Sequence, residues 1–314
     1  MNQFEVLTQI LGVTAPVFAM VFMGLLLRRV RLINEEFIQT ASTLTYKATM
    51  PTLFFMSIWQ ADLQNAFNVE LVLFFCAATL LGFAVSWLWA ARRIPWAQRG
   101  VFVQGCFRGN CGVVSFALAA SYYGDYGLSV GGVLVGFTIL LFNVLSVLIL
   151  SVYSPSLKFS PASVCKELLK NPLIIAVVLG MMASAVQLYI PQWVVKSGQY
   201  FAGLTLPLAL ICVGGTLSLA GVKASGKPSM QASAIKVAIL PVAACAVAWF
   251  VGFEDRDLVI LWMFLASPTA AASFAMAVAA GGDGKLAANI IALTTLVSLV
   301  SMTAGIYVLT AMGS

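Results

Sequence analysis

Ser115-Phe116-Ala117, followed by Gly124-Asp125 and Leu128, returns 158 residues later as Ser273-Phe274-Ala275, Gly282-Asp283 and Leu286. Three further matches run in the same order at an offset of 156: Pro16 with Pro172, Gly24 with Gly180, and Thr49-Met50-Pro51 with Thr205-Leu206-Pro207. A single Pro or Gly match arises easily by chance. Three in one order at one offset, joined to a six-residue pattern, point to a chain built twice.

Composition says what is repeated. Of 314 residues, 61% are hydrophobic and only 9% charged, against roughly 25% charged in soluble domains. Such a chain cannot cover a water-facing surface. It can cover a lipid-facing one, where each helix needs about 20 mainly apolar residues. Hydropathy predicts spans near Ile10–Leu27, Thr40–Trp59, Val69–Ala90, Gln98–Tyr122 and Ser129–Val152. Five more fall near Pro172–Leu188, Gly198–Leu219, Ala232–Val251, Leu258–Ala280 and Leu286–Thr310. The expected fold is an all-α integral membrane protein of ten transmembrane helices. Five spans per half is an odd number, so the second half must enter the membrane from the opposite side. The expected organisation is a first repeat at 1–155, a cytoplasmic connector at 156–170 and an inverted repeat at 171–314. Secondary transporters of this kind place their site near the bilayer midplane between the halves.

Charge sets the orientation. Arg28, Arg29 and Arg31 follow span one, Arg92, Arg93 and Arg99 follow span three, and Lys158, Lys166 and Lys170 follow span five. Lys223, Lys227 and nearby Lys236 follow span seven, and Lys285 follows span nine. The other face has only Lys196 and Arg256, among Asp62, Glu70, Asp125, Glu254, Asp255 and Asp257. Thirteen basic residues against two assign the first set to the cytoplasm and both termini to the outside. The first apolar stretch precedes its basic cluster, so it does not read as a cleavable signal peptide.

Several function classes drop out. The net charge of +6 is spread between apolar stretches and forms no patch for nucleic acid. The six cysteines include no C-x-x-C pair, which argues against a disulfide framework or zinc site. The chain has no histidine, the commonest metal ligand and proton shuttle. No nucleophile–base set, metal cluster or nucleotide loop suggests an enzyme, and nothing calls for a cofactor.

The candidate site lies inside the repeats. Span four carries Phe107-Arg108-Gly109-Asn110-Cys111-Gly112, and span nine carries Ala266-Ser267-Pro268-Thr269 at the matching place. Gly costs a helix about 1 kcal/mol and Pro about 3 kcal/mol relative to Ala. A break within the bilayer is tolerated only where the freed backbone faces protein, water or ligand. Alone, Pro268 reads as a kink, and Gly109 and Gly112 as close helix packing. Two breaks at equivalent positions point to binding. Each restarted half-helix would bring about half a positive charge at its N-terminus, and two such ends favour an anion. Asn110, Ser115, Ser267, Thr269 and Ser273 offer side-chain hydrogen bonds. Lys47, in span two, and Arg108 are cations within spans with no acidic residue at similar depth. An anionic substrate would neutralise them. A helix-capping Arg108 and a snorkelling Lys47 are the structural alternatives.

Four stretches carry a family resemblance: Ala48-Thr49-Met50-Pro51-Thr52-Leu53-Phe54-Phe55, Arg108-Gly109-Asn110-Cys111-Gly112, Asn171-Pro172-Leu173-Ile174-Ile175 and Ala266-Ser267-Pro268-Thr269. With the tail from Gly281-Gly282-Asp283 to Leu286-Ala287-Ala288, the chain resembles the auxin efflux carrier family in its short bacterial form. The resemblance implies ten helices with the fourth and ninth broken and crossed, a scaffold domain and elevator-type alternating access. It implies carboxylate substrates such as auxin, malate or malonate, with Asn110 and Pro268 at the crossing. The plant carriers have proline where Asn110 stands and a long central loop where this chain has only Tyr153 to Lys170. The usual bacterial Phe-x-Gly-Leu-Pro run is replaced by Val113-Val114-Ser115-Phe116. These departures point away from auxin itself.

The expectation is a carrier of small organic anions in the bacterial inner membrane, embedded in the lipid bilayer. A proton or sodium as coupling ion, and a homodimer, stay open. The main alternative is a sodium-coupled symporter or cation antiporter on a related ten-helix fold, and a non-transporting receptor or a membrane enzyme is the third class.

Overall fold

The computed structural model describes residues 3–60, 68–154, 162, 166, 169–217 and 225–313. Asp62, Lys158, Cys165, Lys223 and most of the expected connector lie outside these residues. In chain order the helices are α1 (Gln3–Arg29), α2 (Glu35–Leu44), α3 (Met50–Gln60), α4 (Val69–Arg93), α5 (Trp96–Phe107), α6 (Phe116–Tyr153) and α7 (Pro172–Ala185). They continue as α8 (Gln192–Gly203), α9 (Thr205–Thr216), α10 (Lys227–Ala234), α11 (Leu240–Val251), α12 (Asp255–Leu265), α13 (Ala272–Ala279) and α14 (Gly284–Gly313). Wide π turns join α2 to α3 (Thr45–Thr49), lead into α6 (Cys111–Ser115) and join α10 to α11 (Ile235–Ile239).

The protein is all-helical over the described residues, and six of its helices are long and apolar enough to cross a membrane. These are Ile10–Arg29, Val69–Arg93, Cys111–Tyr153, Gln192–Thr216, Lys227–Val251 and Gly284–Ala311. The difference from ten expected spans has identifiable causes. The run Cys111–Tyr153 leaves helical geometry at Gly124, where φ is 56° and ψ −131°. Only glycine adopts such a backbone readily. The expected second span is helix, π turn and helix. The fourth and ninth are interrupted, α5 stopping at Phe107 and α12 at Leu265. The sixth is α7, an apolar helix of 14 residues. Asn171 starts it by accepting from the Leu173 N–H, with Pro172 at the first helical position, where its missing N–H is harmless.

Two sets of helices pack around a common apolar core. In one, α1 lies along α9, and α3 along α7 and α8. In the other, α4 and α5 pack together, α5 meets α6, and α14 contacts α10, α12 and α13. The α1–α9 seam is backbone against backbone. A Cβ on Gly24 would sit 2.0 Å from the Ile211 carbonyl oxygen, and one on Gly214 would sit 1.7 Å from that of Val21. Facing outward, Leu73, Leu81, Val85 and Leu88 of α4 are exposed, as a lipid-facing helix requires. At the N-terminal end of α12, Asn68 donates to the Asp257 carboxylate at 2.7 Å, tying α4 to α12.

Candidate functional site

The two interruptions lie against each other. The Asn110 N–H donates to the Pro268 carbonyl oxygen at 2.7 Å, and the Ala270 N–H to that of Arg108 at 3.1 Å. Gly109 and Thr269 form an isolated antiparallel bridge. Backbone groups freed by each break are thus partly paired by the other, which is how non-helical chain survives inside a helical protein.

Hydroxyls complete the joint. Ser115 Oγ donates to the Met263 carbonyl at 2.9 Å, and Thr269 Oγ1 to that of Gly105 at 2.9 Å. Ser267 Oγ donates to the Phe264 carbonyl at 2.9 Å, and Thr294 Oγ1 accepts from the Thr269 N–H at 3.0 Å. Ser115, Ser267 and Thr269 are therefore buried and occupied with main chain. Ser273 is buried as well, and its Oγ has no partner.

Beside the joint is a cavity of about 280 Å³. Arg108, Gly109, Asn110 and Gly112 line it from one break, and Ala270, Ala271 and Ala272 from the other. Other parts of its wall come from Ser42 of α2, from Thr45, Tyr46 and Met50, from Thr138 and Phe142 of α6, from Leu173, and from α9. The first residues of both restarted helices thus face one apolar-walled space. Pro268, Ser115, Ser267, Thr269 and Ser273 stand behind it rather than on its surface.

Arg108 is held at this wall. Its guanidinium donates to the Phe142 carbonyl at 3.0 Å, to Ser146 Oγ at 3.0 Å and to Asn143 Oδ1 at 3.1 Å. Its Nε finds no acceptor. All three acceptors are neutral, and no Asp or Glu lines the cavity. Lys47 stands elsewhere. It is exposed and borders a separate surface depression with Gln39, Thr40, Thr43, Leu44 and Ala48.

Lys236 requires a correction. Read as part of the basic connection after span seven, it is instead buried in the Ile235–Ile239 π turn, with 1% exposure. Its Nζ donates to the Leu265 carbonyl at 2.5 Å, the last residue of α12. The basic count becomes twelve against two, with the same sign. Gly109 makes room for it: a Cβ there would lie 3.0 Å from Lys236 Nζ, 2.2 Å from Ser267 Oγ and 3.2 Å from Cys111 Sγ. At Gly112 the nearest atom to a Cβ would be 3.7 Å away, so packing does not demand glycine there. No spacing in the sequence marks Lys236. Its only signal is a lone cation inside an apolar stretch.

A second cavity of about 320 Å³ shares Thr216 and Ala271 with the first and is bordered by Arg28 and Glu35. Arg28 pairs with Glu35 at 2.7 Å and donates to the Gly215 carbonyl.

The family profile described as membrane transport protein matches residues 9–306. An uncharacterized transporter of Methanothermobacter thermautotrophicus is 23% identical over 295 residues, covering 91% of this chain and 94% of its own. An uncharacterized transporter of Methanocaldococcus jannaschii is 21% identical over 311 residues, covering 92% and 95%.

Proposed function

From the premise that the chain belongs to the membrane transport protein family of auxin efflux carrier type, we propose that it carries small organic anions, carboxylates foremost, through the cavity beside the two helix breaks. One observation carries the reading: a half-buried guanidinium without an acidic partner borders a space walled by the starts of two restarted helices. Both features favour negative charge. Carboxylates at that wall would favour an organic cation instead, and none is among the residues that line it.

The ten-span inverted repeat, with units at 1–155 and 171–314 around a connector at 156–170, belongs to the same proposal. Gly24 and Gly180 are repeat equivalents. Gly24 brings α1 onto α9, while Gly180 brings α7 onto α3, where a Cβ would meet the Phe55 carbonyl at 3.2 Å. These are the two contacts that exchange when the halves are swapped. Thr49 and Thr205, also equivalents, are both buried with an unpaired hydroxyl. The Gly105 and Met263 carbonyls, 158 residues apart, each accept a hydroxyl from the opposite broken segment.

With the charge-derived orientation, the cavity walls at Ser42, Leu173 and Thr216 lie at cytoplasmic ends of their spans. The conformation is then inward-facing. Alternating access would move the set containing α4 to α6 and α10 to α14 against the set built on α1 and α9, in the manner of an elevator.

Uptake of a labelled panel of mono- and dicarboxylates into proteoliposomes tests this. The expected result is saturable transport of at least one acid, competed by its close analogues. Transport of organic cations with no carboxylate moved would overturn the proposal.

A further inference from the structure

Lys236 plays no part in lining the cavity, yet its ammonium lies at the heart of the joint. α12 ends there, and the C-terminal end of a helix presents unpaired carbonyls with partial negative charge. In broken-helix transporters such ends, with unwound carbonyls, are where a coupling cation binds. Here the Leu265 carbonyl accepts from Lys236 Nζ at 2.5 Å. Ser267 Oγ, Cys111 Sγ and Lys236 Nζ surround one point, the place a Gly109 Cβ would fill. Among the described residues no carboxylate pairs with this lysine, and the titratable groups facing it are the thiols of Cys106 on α5 and Cys111 in the π turn.

We propose that Lys236 is a tethered cation occupying the cation position of the joint, so that this protein neither binds nor needs sodium there. The ammonium supplies from within the chain the positive charge that a sodium-coupled relative would recruit from solution. It also contributes, with Arg108, to the positive field on the loop between them. Removing the side chain leaves the Leu265 carbonyl and Ser267 Oγ as hard oxygen ligands of the kind a small cation takes. The inference extends the carrier reading to its coupling ion. Its test needs no transported substrate, so the two fail separately.

The test compares apparent melting temperatures of the purified full chain in detergent, in NaCl, KCl and choline chloride at equal ionic strength. A ligand that binds only the folded state raises the transition. Wild type is expected to melt identically in all three salts. Lys236→Ala is expected to gain a few degrees in NaCl alone, whereas Lys236→Met, which fills the space without charge, gains nothing. A sodium-specific rise in wild type, or a folded Lys236→Ala indifferent to sodium, overturns the proposal. If the alanine variant does not fold, Lys236→Ser keeps a small hydroxyl and serves in its place. The wild-type comparison decides by itself if neither folds.

Discussion

Arg108 and Lys47 were alike in the sequence, two cations inside apolar spans, and the fold separates them. Arg108 borders the cavity, while Lys47 is exposed outside it. If a carboxylate binds there, Arg108→Gln removes a charge-assisted contact worth roughly 1.5–3 kcal/mol. Affinity, read by isothermal titration with a transported acid, falls about ten- to a hundredfold. Asn110→Ala loses a neutral bond worth about 0.5–1.5 kcal/mol, and Lys47→Met leaves affinity unchanged. Glycines give a contrast independent of substrate. Gly109→Ala must displace Ser267 Oγ and break its bond to Phe264, so the melting temperature drops. Gly112→Ala meets only ordinary contacts and costs little. The loop Arg108 to Gly112 was legible because Gly and Pro interrupt apolar runs and leave a mark in composition. Lys236 was not legible: its acceptor lies 29 residues along the chain, and hydropathy cannot tell a buried lysine from a boundary lysine. The hydroxyls of Ser115, Ser267 and Thr269 read as ligands, yet they bond main chain, since a break creates carbonyls that compete for every nearby donor.

At the scale of helices, the glycine seam between α1 and α9 yields a sharp expectation. Introducing a methyl at Gly24 or Gly214 drives it into a carbonyl that cannot rotate away, and overpacking of this sort typically costs about 1–3 kcal/mol. Gly24→Ala and Gly214→Ala should lower both expression and melting temperature. Gly203→Ala, with nothing within 4 Å, should be neutral. Gly24 and Gly180 marked the proposed repeat by identity alone, and the close approach at each explains why a side chain is excluded there. The three π turns left no sequence signal. Each widens a helix by one residue, a choice set by what packs on either side rather than by propensity. Element lengths were also obscured where Gly124 bends the run from Cys111 to Tyr153 without lowering its hydropathy.

For the whole molecule, the charge asymmetry and the cavity walls jointly predict an accessibility pattern. In inside-out vesicles, Thr216→Cys and Ala271→Cys react with an impermeant thiol reagent, and Lys166→Cys reacts with them. In intact cells all three stay unlabelled. Reaction of Lys166→Cys from outside reverses the topology. The native thiols are first replaced by serine, because Cys111 and Cys212 line the same cavity as Thr216 and Ala271, Cys76 is only partly buried and Cys165 adjoins Lys166. The backbone-tight pairing of α1 with α9 has a consequence for the surrounding lipid. Acyl chains cannot wedge between two backbones in contact, so the pair must tilt as a single thick strut when bilayer thickness changes. Mismatch costs fractions of a kcal/mol per ångström, and a strut that cannot splay passes that load to the neighbouring helices. On the alternating-access proposal, membrane thickness would thereby bias where the opposing bundle rests.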